Sequence, residues 1–240
     1  MMQVDDPRAH VLEIHRRLCL VYGCPIPYFH QHDPMSELVA ALLSHRTRNA
    51  DSGRAFRALR QRWPDWEGVR DADPAEVEAT IKGVTWPEQK APRIQAILRA
   101  VTEKRGALNL DFLADMPVEA ARAWLEELPG VGPKTSAAVL SFSTIRGAAL
   151  PVDSHHHRVA VRTGLIPPTL AVGPSHKVLA AQLPEDWDAQ KIFDNHEVLM
   201  LHGQRCCFFQ NPACHRCVLL ELCPTGQARM GGAEEERRVG

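Results

Sequence analysis

Nothing in the 240-residue sequence approaches the ~20-residue apolar run of a membrane helix. The chain is expected to have no membrane partner. Net charge is also missing: 28 Lys and Arg stand against 29 Asp and Glu. A polyanion would therefore have to be held by a local basic face on a neutral body. The N-terminus, MMQVDDPRAHVLEIHRRLCL, starts acidic and lacks a basic stretch followed by an apolar core. It does not read as a signal peptide, so a cytoplasmic location is expected. Reducing compartments keep thiols free, which weighs against disulfides among the seven cysteines and favours metal binding or chemistry. Alternating apolar and polar runs rich in β-branched residues are scarce. No sheet is expected, and the fold class reads as all-α.

Helix signals fill the chain instead. VLEIHRRLCLVYG places Val11, Ile14 and Leu18 on one face and ends at Gly23. Ser36 is expected to cap the buried helix SELVAALLS. Asp73, Pro74 and Gly83 read as cap, first turn and stop of another helix. EQKAPRIQAILRAVTEKRG and MPVEAARAWLEEL look amphipathic, with Pro92 expected in a first turn or at a bend. The polar tail from Gly226 onward is expected to be loose.

Two stretches carry chemistry. LPGVGPKTSAAVLSF (128–142) reads as helix, glycine hairpin, helix, with Gly130 and Gly132 taking the backbone angles other residues avoid. Such a hairpin presents backbone N–H groups at a helix N-terminus, where a phosphate can sit. CCFFQNPACHRCVLLELCP (206–224) holds five cysteines. Four of them, spaced C-x6-C-x2-C-x5-C, could cage zinc or an iron–sulfur cluster.

LPGVGPKTSAAVL resembles the helix-hairpin-helix of the endonuclease III branch of DNA glycosylases. PVDSHHHRVAVRTGL (151–165) is similar to that family's V-D-[ST]-H-x-x-R-V segment, and the cysteine spacing matches its cluster motif. The resemblance covers roughly residues 36 to 224 with the motifs in order. It implies a six-helix domain over 36–149 and a discontinuous cluster domain from 1–35 and 150–240. The DNA cleft is expected where these two domains face each other. It also implies a structural [4Fe–4S] cluster on Cys207, Cys214, Cys217 and Cys223, with Cys206 a surplus thiol. Cys19 and Cys24 read as a buried thiol and a loop thiol.

By the same resemblance Lys134 is the nucleophile that displaces the base and leaves a Schiff base, from which elimination cuts the strand. Burial and the helix N-terminus would favour its neutral form, and a nearby Asp would oppose them. Asp153 would stabilise positive charge on the sugar and carry the lysine proton, while capping the following helix. DNA contacts are expected from Arg46, Trp86, Gly130, Val131, Gly132, Thr135 and His155. His156 and His157 point about 100° apart on a helix and cannot share an ion with His155. Arg158 and Arg162 are expected to pair with acids or face the DNA backbone.

Three departures from the family pattern stand out. Arg46 replaces the glutamine that fills the gap left by a flipped base. Thr85, Pro87 and Glu88 alter the loop that opposes it. The cluster loop FFQNPA carries no charge. The function implied is base excision repair: a monomeric bifunctional glycosylase and abasic-site lyase, associated with the nucleoid, acting on oxidised pyrimidines in damaged or abasic duplex DNA. The alternatives are a monofunctional mismatch glycosylase and a non-catalytic DNA-damage binder.

Overall fold

The computed structural model describes the backbone of residues 6–239 and the side chains of residues 6–231. Among the described residues there is no strand, and the fold class is all-α, as expected. The helices are α1 (Pro7–Tyr22), α2 (Pro34–Ser44), α3 (Asn49–Arg62), α4 (Trp66–Asp71), α5 (Pro74–Thr80), α6 (Pro87–Arg105), α7 (Val118–Glu126), α8 (Pro133–Phe142), α9 (Ser154–Arg162), α10 (Val172–Ala180), α11 (Ala189–Arg205) and α12 (Pro224–Val239). None of them is long and apolar enough to cross a membrane.

The chain divides into two compact units, one of residues 28–147 and one of residues 1–27 with 148–240. The first holds α2 to α8. Here α2 packs on α8 and α3, α6 on α4 and α5, and α7 on α8. Leu38, Leu43, Leu59, Ile94, Ile97 and Leu98 are fully buried between them. In the other unit α11 packs on α1 and α9, and Phe193 on α11 is completely enclosed, as are Ile14 and Leu18 on α1.

Local chemistry explains most helix ends. Gly23 closes α1 with φ 80°, and its N–H donates to the Cys19 carbonyl. Asp73 caps α5 through the Ala75 N–H, ahead of Pro74, although the helix stops at Ile81, short of Gly83. α2 corrects the expected cap. Asp33 accepts the Ser36 N–H, so Asp33 caps, Pro34 opens the helix and Ser36 lies inside it. Pro fits the first helical position because its missing N–H would be unpaired there anyway. Pro92 sits past the first turn of α6.

The expectation of two separate thiols at Cys19 and Cys24 is corrected, and the segment after the last cysteine carries a helix. That helix, α12, starts at Pro224 and runs to Val239. Its first turn docks beside the cysteine-bearing turns, where the Gly226 N–H donates to the Cys223 Sγ, and this starts a helix that its polar composition does not announce. Cys19 and Cys24 are bonded to each other as a disulfide. Proximity decides that pairing: Cys19 lies in the last turn of α1, Gly23 turns the chain back, and the Cα atoms come within 5.1 Å.

Candidate functional site

The glycine hairpin joins α7 to α8. Gly130 has φ 78°, the left-handed region glycine favours. Gly132 has an ordinary extended backbone and serves as the N-cap of α8, so only one of the two glycines meets a conformational demand. The Val131 N–H donates to the Leu128 carbonyl, and the Thr135 and Ser136 N–H groups donate to the Gly132 carbonyl. Among the described residues the N–H groups of Gly130 and Gly132 donate to no protein acceptor. Ser136 Oγ donates to Glu126 at 2.6 Å and fastens α8 to α7. Lys134 is the second residue of α8, at the positive end of its dipole.

Lys134 belongs to a group of cations. His45 is pushed below its usual imidazole range, first by burial and then by the charges of Lys90, Arg46, Lys134 and Arg93. Such a group attracts phosphate. The Arg93 side chain lies 3.0 Å from where a Cβ on Gly130 would sit, so a larger residue there would crowd it.

Arg46 and Trp86 meet, with the guanidinium 5.7 Å from the ring centroid. Both have left-handed backbones, φ 52° and 55°. The two loops that carry them are tied together. Thr85 Oγ1 donates to the Arg46 carbonyl at 2.9 Å, and the Thr85 N–H donates to Thr47 Oγ1 at 3.1 Å. Thr85, a departure from the family pattern, is therefore a fastening residue. Lys90, which sequence reasoning missed, does more. Its buried ammonium donates at 2.8 Å to the carbonyls of Leu43 and His45 and to Thr47 Oγ1. The lone signal for it was a lysine on the apolar side of an amphipathic helix.

In the other unit Asp153 caps α9, its Oδ1 accepting the His156 N–H at 2.7 Å. The preceding Val152 N–H donates to His176 Nε2 at 3.0 Å. His176 Nδ1 faces the carbonyls of Val172 and Gly173, which sets the tautomer that leaves Nε2 free to accept. The three consecutive histidines go to three different partners. His155 Nδ1 accepts from Arg158, His156 pairs with His196 at 3.4 Å, and His157 Nε2 donates to the Leu170 carbonyl. Burial, reinforced by His196, holds His156 down to about 3, so it is neutral. Glu197 next to His196 is the opposite case. Burial, then the carboxylates of Asp153 and Asp194, push it up to about 7.

Among the described residues Arg158 and Arg162 pair with no acid, contrary to one expectation. Arg158 donates to the carbonyls of Cys207 and Gly203 at 2.9 and 2.7 Å. Arg162 donates to those of Phe208 and Phe209 at 2.6 and 2.9 Å and to Cys207 Sγ at 3.3 Å. The uncharged FFQNPA loop is thus held by Arg162 of α9, and Arg158 of the same helix holds the backbone just before it. Carbonyls that belong to no helix need donors, and the arginine fork supplies several at once.

All five cysteines of the 206–224 stretch line one cavity, walled by Val159, Pro212, Leu219 and Leu220. Burial pushes the Cys217 thiol up to about 12. A desolvated cluster of thiols becomes a cluster of thiolates only when a cation takes the place of the protons. His202, Cys206 and Cys217 bring ligand atoms within 4.8 Å of one another and can hold a metal ion. His202 Nε2 lies 3.4 Å from Cys217 Sγ, and its imidazole is kept neutral, down to about 4, by burial.

Comparison with known proteins places this geometry. The model of the HhH-GPD superfamily of base excision DNA repair proteins matches residues 39–188. Endonuclease III of Thermotoga maritima is 32% identical over 206 residues, 85% of this chain and 89% of its own. A putative DNA glycosylase of Arabidopsis thaliana is 32% identical over 169 residues, 70% of this chain, and the chain spans 56% of that relative's length. A solved structure of a trapped endonuclease III–DNA covalent intermediate has the same fold, with TM-score 0.77 at 24% identity over 96% of this chain and 100% of that one. The protein belongs to the endonuclease III family of HhH-GPD base excision repair DNA glycosylases.

Proposed function

We propose that the protein binds duplex DNA carrying an oxidised pyrimidine or an abasic site and acts on it as a bifunctional glycosylase and abasic-site lyase. The observation that carries this reading is Lys134 at the second position of α8, directly behind the glycine hairpin and among Arg46, Lys90 and Arg93. The N–H groups of Gly130 and Gly132 would take a phosphate of the damaged strand, with the dipole of α8 adding to the attraction. The damaged nucleotide is flipped out so that its sugar can be reached.

Lys134 Nζ, as the neutral amine, then attacks C1′, and the bond from C1′ to the base breaks with its electron pair going to the base, which takes a proton from water. Positive charge develops on the sugar as that bond lengthens, and Asp153 would stabilise it. Loss of the lysine proton and opening of the sugar ring give a Schiff base. Asp153 is the group assigned to carry that proton. Removal of a 2′ hydrogen then expels the 3′ phosphate and cuts the strand. The Asp153 carboxylate is held in one orientation by the His156 N–H, which suits a group that must meet a single atom.

The four cysteines 207, 214, 217 and 223 fit a [4Fe–4S] cluster in number, spacing and cavity, with thiolate ligation as its chemistry. The cluster would be a structural staple between α11 and α12. Arg158 and Arg162 hold the Cys207 end of that site whatever group fills it. Arg46 would fill the gap left by the flipped base, after leaving its place over Trp86.

Borohydride trapping tests the reading, on duplexes carrying thymine glycol or an abasic site, with Lys134→Ala alongside. Covalent adducts with both substrates, absent in the variant, are expected. An adduct with the abasic site alone would refute base removal from oxidised pyrimidines and leave a lyase. No adduct with either, in protein that binds the DNA, would replace this reading with a non-catalytic damage binder.

A further inference from the structure

A second cluster of potential ligands lies away from the cysteines, at the start of α2. His30 and His32 stand two residues apart in the loop before the helix, and Glu37 is in its first turn. The Glu37 side chain is 5% exposed. One of its oxygens, Oε2, faces both rings, at 3.3 Å from His30 Nε2 and 3.3 Å from His32 Nδ1. All three atoms lie within 4.8 Å of one another. We propose that His30 Nε2, His32 Nδ1 and the Glu37 carboxylate form a divalent-metal site that takes zinc, with water in the fourth position.

His32 Nδ1 makes one long hydrogen bond to Glu37 Oε2, at 3.3 Å, and the same spacing suits an ion. A charge-assisted N–H to carboxylate bond is ~2.7–2.9 Å long. Zinc bonds of ~2.0–2.1 Å at tetrahedral angles separate neighbouring ligand atoms by ~3.3 Å. Both Glu37 contacts have the second length. The charges agree. A buried carboxylate needs a positive partner, and among the described residues Glu37 has no Lys or Arg ion pair. Arg146 does not fill the role either, since its guanidinium lies over the Tyr28 ring at 3.4 Å and donates to the carbonyls of His30 and Phe142. A neutral imidazole is the form that binds metal.

The loop is also held in place before any ion arrives. The His30 carbonyl accepts from Arg146 at 3.0 Å and the His32 carbonyl from the Thr144 N–H at 2.8 Å. The two rings stack 3.8 Å apart with their planes 15° apart, so one ring must turn before both nitrogens can face one ion, and His32 stacks on Phe56 at 4.6 Å. Side-chain exposures of 32% and 27% for the histidines leave a path for the ion and room for its water. Two imidazoles and a carboxylate suit zinc among the common divalent ions. The bound ion would pin the loop to the first turn of α2, beside its Asp33 cap.

The test uses the full chain as isolated, dialysed against a chelator and then titrated with zinc alone by calorimetry. Cobalt(II) absorption serves as the spectroscopic probe. Binding of one ion per chain is expected, weakened by more than ~100-fold in His30→Asn and in Glu37→Gln, with cobalt spectra that lack a thiolate charge-transfer band. His30→Asn changes a partly exposed loop residue and keeps the fold measurable if Glu37→Gln does not. Failure of the wild type to bind zinc overturns the proposal. So does equal affinity in His30→Asn, or a cobalt spectrum dominated by thiolate ligation, which would place the ion among the cysteines.

Discussion

Replacing Lys90 by methionine removes one ammonium while keeping a long apolar stem in the same place. The ammonium of Lys90 on α6 caps the C-terminus of α2, where the Leu43 carbonyl is one of the last four that lack an intrahelical partner. Thr47 Oγ1 can turn to water, so the lasting loss falls on the carbonyls of Leu43 and His45. Each losing a charged donor costs ~1.5 kcal/mol, and losing a cation at a helix C-terminus adds ~0.5 kcal/mol. Burial opposes the ammonium and holds it down to about 8, still protonated at pH 7. Relief of that burial returns part of the loss, so Lys90→Met is expected to destabilise by ~2 kcal/mol net.

Urea unfolding at pH 7 measures it, with an unchanged m-value as the condition for reading the shift as stability. Faster amide exchange at residues 45–48 should accompany it, because their loop loses its anchor. Above pH 8 the sign is set by linkage. The folded pKa near 8 lies below the ordinary 10.5, so the unfolded chain binds more protons between these values. Wild-type stability relative to the variant should then rise across pH 8 to 10.5. A loss under ~0.5 kcal/mol at pH 7 would refute the reasoning and mean that water replaces the ammonium.

Gly203→Ala puts a Cβ 2.8 Å from the His155 Cβ and 3.0 Å from its carbonyl oxygen. Overpacking of ~1–3 kcal/mol should exceed the ~1 kcal/mol that alanine gains in a helix, and the melting temperature should fall; a rise would show that α9 and α11 do not approach this closely. Glu197 is protonated more easily in the folded chain, so its favourable contribution is complete below pH 4.5 and is lost as pH rises through about 7. Glu197→Gln should therefore gain stability relative to wild type between these pH values, by on the order of 3 kcal/mol. Unfolding midpoints of both proteins at pH 5 and pH 8 measure this, and an equal gap at the two pH values would contradict it.

Helix ends and single caps were legible because their causes are local. Val11, Ile14 and Leu18 face inward as their spacing predicts, and Asp153 caps α9 as its place before SHHHRVAVR suggests. Asp33 was legible in principle too, since Pro34 favours the first helical position and so points to the residue before it. The motif strings carried the family, and the family model and relatives bear it out.

What the sequence by itself determined is the all-α class, the core face of α1, single caps such as Asp73 and Asp153, the glycine hairpin ahead of Lys134 and the family. Each depends on residues within about one or two turns of one another, or on strings compared whole. Tertiary structure alone decided which distant groups meet. Arg158 and Arg162 reach carbonyls some forty-five residues further on, Lys90 closes the end of α2, and Cys19 finds Cys24. A donor takes whichever unpaired acceptor the folded chain brings within 3 Å, and no local pattern encodes that distance.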